Sequence, residues 1–256
     1  MGGISRDDAM KWMIAAILLA TLPLAARSGD APDRIQNDAS QPLFQWYAHH
    51  ESGDFNEYYW RHPDTSCGWL MAVPDPTGSG RGYVAESQIF CSAGEKAVHR
   101  LYPTLNLEKC LYGSYTSSFE VWLSAPPASQ RGWISLATYS NVKNWQDLFG
   151  VNLGTVDGQP VLVLFHVPTF GQGRFKRHTR LAFPMKRWVR IDVVVSAGEG
   201  IRVFQNGTLV LQADKNWGPA GPSLCEAHWG LYAEGKTDFG HLLNDNIDLR
   251  FNGYRK

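Results

Sequence analysis

The sequence predicts an all-β, two-sheet antiparallel jelly-roll sandwich over residues 43–256. Short β-branched or aromatic runs recur between Gly, Pro and Asn along that stretch, and helical periodicity is nearly absent. The 25 Gly and 14 Pro supply many turns, while ten Trp and 44% hydrophobic residues supply a packed core.

Taken in order, residues 1–26 stand outside the fold. The apolar run 12–24 is shorter than the roughly 20 residues that span a bilayer, and Ala25 and Ala26 suit signal-peptidase cleavage. A start at Met10 would place Lys11 directly before that run. The segment reads as a signal peptide, with an uncleaved anchor as the other reading. Cleavage gives a secreted or periplasmic chain with no membrane span. Residues 27–42, RSGDAPDRIQNDASQP, are polar and read as a disordered linker.

The clearest strands are expected at 115–123, 133–139, 161–167, 190–195, 201–210, 228–233 and 247–251, with weaker signals at 71–73, 83–90 and 98–102. Asn206-Gly207 is a tight-turn dipeptide whose residues accept positive φ. Trp188 and Trp229 are expected to close the ends of the core. At most a turn or two of helix is expected around 144–149.

Cys67, Cys91, Cys110 and Cys225 follow the apolar leader, and an even count in an oxidising compartment predicts two bridges. Three pairings exist. Cys67 with Cys91 and Cys110 with Cys225 are favoured, against four buried thiols as the alternative.

The 24 basic and 24 acidic residues cancel, so no bulk attraction to nucleic acid exists. The charge is uneven, because no Asp or Glu occurs from Gly158 to Ile191. Within that block, Arg174, Lys176, His178 and Arg180 alternate with Phe175, Arg177, Thr179 and Leu181, which as a strand gives one cationic face. That face either lines a groove for a polyanion or is a solvated, charge-protected edge. No paired carboxylates of glycoside-hydrolase type, Ser-His-Asp set or phosphate loop is present in the sequence, which demotes hydrolysis.

The strings WVRIDVVV at 188–195, GIRVFQNGTLV at 200–210, HWGLY at 228–232 and NDNI at 244–247 carry a resemblance, as does Glu51-Ser52-Gly53-Asp54-Phe55 upstream. Together they resemble the concanavalin-A-like jelly-roll proteins related to laminin-G-like domains and to heparin-, glucuronan- and alginate-type polysaccharide lyases. The likeness covers most of residues 43–254. It implies a polysaccharide lyase-like protein that acts on or binds an anionic, uronate-containing glycan, and the chain is separately expected to be a monomer. The alternative is a non-catalytic carbohydrate-binding or adhesion module, since this architecture hosts both.

β-Elimination needs donors that neutralise the uronate carboxylate, a base for the adjacent proton and an acid for the leaving oxygen. By resemblance Arg100, in VHRLYP at 98–103, takes the neutralising role. His166, near the end of VLVLFHVP at 161–168, is the candidate base, and Tyr232 is the third catalytic candidate. Arg174, Lys176, His178, Arg180 and His228 are candidate substrate contacts. Leu164 replaces the Gln of the Q-x-H that alginate-type lyases carry, and Tyr102 replaces the acidic residue after the Arg, which favours the binding-module alternative. The resemblance also implies a structural Ca²⁺ near Asn244, Asp245 and Asp248, where an Asx-type turn is the plainer reading.

Overall fold

The computed structural model describes residues 44–58, 60–62, 67–94, 97–124, 133–168, 175–214 and 223–255, with the side chains of 60–62, 175–176 and 253–255 outside the description. The expected signal peptide and linker therefore lie outside the described residues. The strands are β1 (Phe44–Ala48), β2 (Trp60–His62), β3 (Gly68–Pro74), β4 (Tyr83–Ile89), β5 (Val98–Leu123), β6 (Ile134–Ser140), β7 (Leu148–Val156), β8 (Gln159–Val167), β9 (Phe175–Ala182), β10 (Val189–Ser196), β11 (Gly200–Gln205), β12 (Thr208–Asp214), β13 (Ser223–Glu234) and β14 (Gly240–Arg255). Their pairings are antiparallel throughout. Among the described residues, no helix is long and apolar enough to cross a membrane.

The architecture is the predicted jelly roll, and β5 joins its two layers. One layer runs β12, β11, β10, the C-terminal half of β5, then β14, which pairs β1 and β4 along its other edge, with β3 outside β4. The other runs β2, the N-terminal half of β5, then β13, β6, β7, β8 and β9. Gly113 lies where β5 passes from pairing β13, which ends at Tyr112, to pairing β10, which begins at Tyr115, and it stands at φ 136°, a conformation that favours glycine.

Period-2 alternation decides which residues enter the interior. Leu101, Leu105, Ile134, Tyr139, Phe149, Val151, Leu162 and Leu164 from the second layer join Tyr115, Phe119, Ile191, Val193, Leu249 and Phe251 from the first in one buried cluster. Trp229 is at its centre rather than at an end. It is fully buried, stacks on Trp46 at 5.2 Å, meets Tyr139 edge-on at 6.0 Å and donates from Nε1 to Ser117 Oγ at 3.2 Å. Because the residues on both sides of Trp229 are also buried, the sequence pattern does not separate centre from rim. Trp188 is half-buried, with the Arg81 guanidinium 4.1 Å over its ring.

The helical turn expected at 144–149 shrinks to a 3-10 turn at Lys143–Trp145, and β7 begins at Leu148. Strands β1, β2 and β7 carry no clear sequence signal. Asn206 and Gly207 do form the expected positive-φ turn, at 49° and 79°.

Both favoured disulfides are present. Cys67–Cys91 closes the open end of the β3–β4 hairpin with a Cα separation of 4.9 Å, and Cys110–Cys225 links β5 to β13 at 4.2 Å. The first joins residues 24 positions apart, so Cys67→Ser with Cys91→Ser is expected to lower stability by about 2 to 4 kcal/mol. Urea unfolding checks this, and an unchanged midpoint would mean that the bridge does not restrict the unfolded chain.

Candidate functional site

The outer face of the second layer carries polar and aromatic residues between the apolar ones that enter the core. Strand register arranges them in two rows that cross six strands. The first row is Arg100, Tyr232, Ser135, Asn152, Val163 and His178, each directly opposite the next on β5, β13, β6, β7, β8 and β9. The second is Thr104, His228, Thr138, Gly150, Phe165 and Lys176 on the same strands. At about 4.8 Å per strand each row spans roughly 24 Å.

At the β5 end, side chains converge. Arg100 is exposed, while Tyr232, across from it, is half-buried. The Tyr102 and His228 rings stack at 3.8 Å with an interplanar angle of 13°, and Tyr232 stands edge-on to both, at 5.6 and 5.8 Å. Trp133 packs against Tyr232 at 4.8 Å, and Trp145 leans on His228 at 5.2 Å. Trp145 is fixed by its backbone N–H donating to Glu226 Oε2 at 3.2 Å, and the neighbouring Lys143 Nζ donates to Asn106 Oδ1 and to the Leu107 carbonyl. The 3-10 turn thus walls one side of the patch.

Burial pushes the Tyr102 hydroxyl far above its usual range, helped by the nearby Tyr232 phenol and opposed by the hydrogen-bonded Arg100. Tyr102 therefore stays protonated at neutral pH and can act as a donor. Tyr102 and His228 are buried against each other, so the exposed Arg100 is the group that can bind a carboxylate, and the half-buried Tyr232 and Trp133 are the rings that can meet a sugar's apolar face.

His166 is not part of this patch. It lies opposite Phe149 on the core side of β8, is 4% exposed, and its Nε2 is 3.0 Å from Asp147 Oδ1. Three strand spacings, roughly 14 Å, separate β8 from β13. The expected base thus points to the opposite side of the sheet, because the register places it in line with Leu162 and Leu164. Position 166 cannot reach a substrate held by Arg100 and Tyr232.

The cationic strand faces the rows in part. His178 is exposed on the outer side opposite Val163, and Arg180 is exposed. Arg177 faces the other layer and donates to the Gln212 carbonyl at 2.8 Å. Arg174 and the side chain of Lys176 lie outside the described residues.

Asn244, Asp245 and Asp248 have separate partners. Asn244 Nδ2 donates to the Glu120 carbonyl, Asp245 Oδ2 accepts from Arg81 Nη1 at 3.0 Å, and Asp248 pairs with Arg250 at 2.6 Å. A bulge with Asn246 at φ 50° divides Asp245 from Asp248. Among the described residues, no three or more His, Cys, Asp or Glu form a metal-holding group. The Arg81 guanidinium supplies positive charge between Asp245 and Glu120, while Asn244 Oδ1, Asp245 Oδ1 and Asp248 Oδ1 are buried with no hydrogen-bond partner among the described residues.

Sequence reasoning gives no site role to Tyr102, Trp133, Trp145 or Phe165. For Tyr102 a signal exists, because period-2 spacing from Arg100 puts both on one face.

No protein-family model matches this sequence, and no curated protein matches it. Solved structures do. An endo-β-1,4-glucuronan lyase from the fungus Trichoderma reesei superposes with a TM-score of 0.63 at 14% identity, over 82% of this chain and 96% of that one. A cellulose-induced protein, Cip1, gives 0.56 at 12% identity, over 79% and 95%. The binding domain of Paraclostridial Mosquitocidal Protein 1 gives 0.50 at 13% identity, over 84% and 49%. The chain shares their fold. At these identities the likeness shows the architecture alone.

Proposed function

We propose that this chain recognises a uronate-containing polysaccharide lying across the strands of the second layer, and that its β5–β13 end is equipped for β-elimination. The convergence of Arg100, Tyr102, His228 and Tyr232 on one patch carries this reading. The fold shared with a glucuronan lyase supports it. The two disulfides and the apolar leader support a secreted or periplasmic setting.

In this reading Arg100 binds the uronate carboxylate and draws charge from the adjacent carbon. His228 accepts the proton leaving that carbon, the released electron pair forms the new C=C bond, and the glycosidic C–O bond breaks. Tyr232 donates a proton to the departing oxygen. Tyr102 holds the imidazole by stacking.

Purified protein is expected to bind polyglucuronate more tightly than a neutral glucan, with affinity falling as salt rises, because charge contacts are screened over about 8 to 10 Å at physiological ionic strength. Incubation should produce the ultraviolet absorbance of an unsaturated uronate, and His228→Ala should remove that absorbance while retaining binding. Equal affinity for neutral and acidic glycans would discard the reading. One observation favours a non-catalytic binding module instead: His228 is 2% exposed between Tyr102 and Trp145. Binding without absorbance would select that reading.

A further inference from the structure

The geometry points to a second sugar subsite at Phe165, three strands from Tyr232, that holds a different residue of the same glycan; it rests on the proposed glycan binding. Phe165 lies on the outer face of β8, half-buried between the buried Leu164 and His166. Its ring reaches over the backbone of β7. A β-carbon at Gly150 would sit 2.5 Å from the Ala137 carbonyl oxygen, 2.7 Å from Phe165 Cε1 and 3.0 Å from Cζ, so glycine there suits both the close approach of β6 and the ring lying over β7.

The flanking groups suit a pyranose. Asn152, two residues beyond Gly150 on the same face of β7, is 7% exposed, and its Oδ1 has no hydrogen-bond partner among the described residues. An orphaned buried carbonyl costs free energy until a donor reaches it, and sugar hydroxyls are donors. His178, opposite Val163, is exposed and comes within 3.9 Å of where a Gly154 β-carbon would stand. The site therefore offers an apolar ring, an amide and an imidazole around one spot, the composition of a small polar-ligand site. At roughly 14 Å from β13, it is beyond the reach of the sugar bound by Arg100.

Glucuronic acid oligomers are the probe, with disaccharide and hexasaccharide affinities measured by calorimetry. In the unaltered protein the hexasaccharide should bind tighter. Phe165→Leu, which keeps an apolar side chain but removes the ring, should weaken the hexasaccharide about fivefold and leave the disaccharide unchanged, since ring contacts contribute about 1 kcal/mol. Phe165→Tyr should restore the lost increment, and thermal melting should show both variants folded. The subsite is overturned if Phe165→Leu weakens both oligomers equally or neither, if Phe165→Tyr behaves as Phe165→Leu, or if length brings no gain in the unaltered protein. Failure of the unaltered protein to bind either oligomer would overturn the proposed function as well.

Discussion

Replacing Arg100 with alanine is expected to weaken polyglucuronate binding by about tenfold to a hundredfold and to flatten its salt dependence. Arg100 is the exposed cation beside the aromatic patch, and a charge-assisted hydrogen bond contributes about 1.5 to 3 kcal/mol, which corresponds to that range. Arg100→Lys should recover only part of the loss, because an ammonium cannot reproduce the two-pronged contact of a guanidinium. Binding to a neutral glucan should change little. Calorimetry at low and physiological salt checks the pair, and an Arg100→Ala protein with unaltered affinity would remove the carboxylate contact from the site.

Trp229→Ala is expected to cost about 4 to 5 kcal/mol of stability. The side chain is fully buried, touches Trp46 from one layer and Tyr139 from the other, and shares Ser117 Oγ with the Tyr139 hydroxyl, which donates to it at 2.8 Å. Trp229→Phe keeps most of the apolar contact but loses the indole N–H donor, and should cost less than the alanine variant. Urea unfolding of the three proteins tests this. A loss below about 2 kcal/mol for Trp229→Ala would show that the layers collapse readily into the space.

The fold is legible in the sequence because its signals are local. Asn206-Gly207 needs only its own backbone freedom, and the β-branched runs of β10 and β11 need only alternation. The site is legible where a strand has one polar face. Arg100 and Tyr232 stand out against their neighbours, and register brings them together. His166 misleads because β8 is buried on both faces: Val161 and Val163 on the outer side are covered nearly as fully as Leu162 and Leu164 within. Alternation in such a strand carries no direction, so the side on which a histidine falls is invisible. The acidic cluster is legible only in part, for a different reason. Arg81, which pairs with Asp245, comes from a loop 164 positions earlier, and no local pattern announces it.

Strand β14 lies in the middle of its layer, with β5 on one side and β1 and β4 on the other, although it comes last in sequence among the described strands. A ribosome therefore delivers three strands with open edges before it delivers the one that closes them. Productive folding must wait for that final element, and until it arrives the nascent chain is a template for intermolecular pairing. Holdase chaperones that cover exposed strand edges would gain their purchase during this interval, and a chain cut short before β14 would leave those edges open for good.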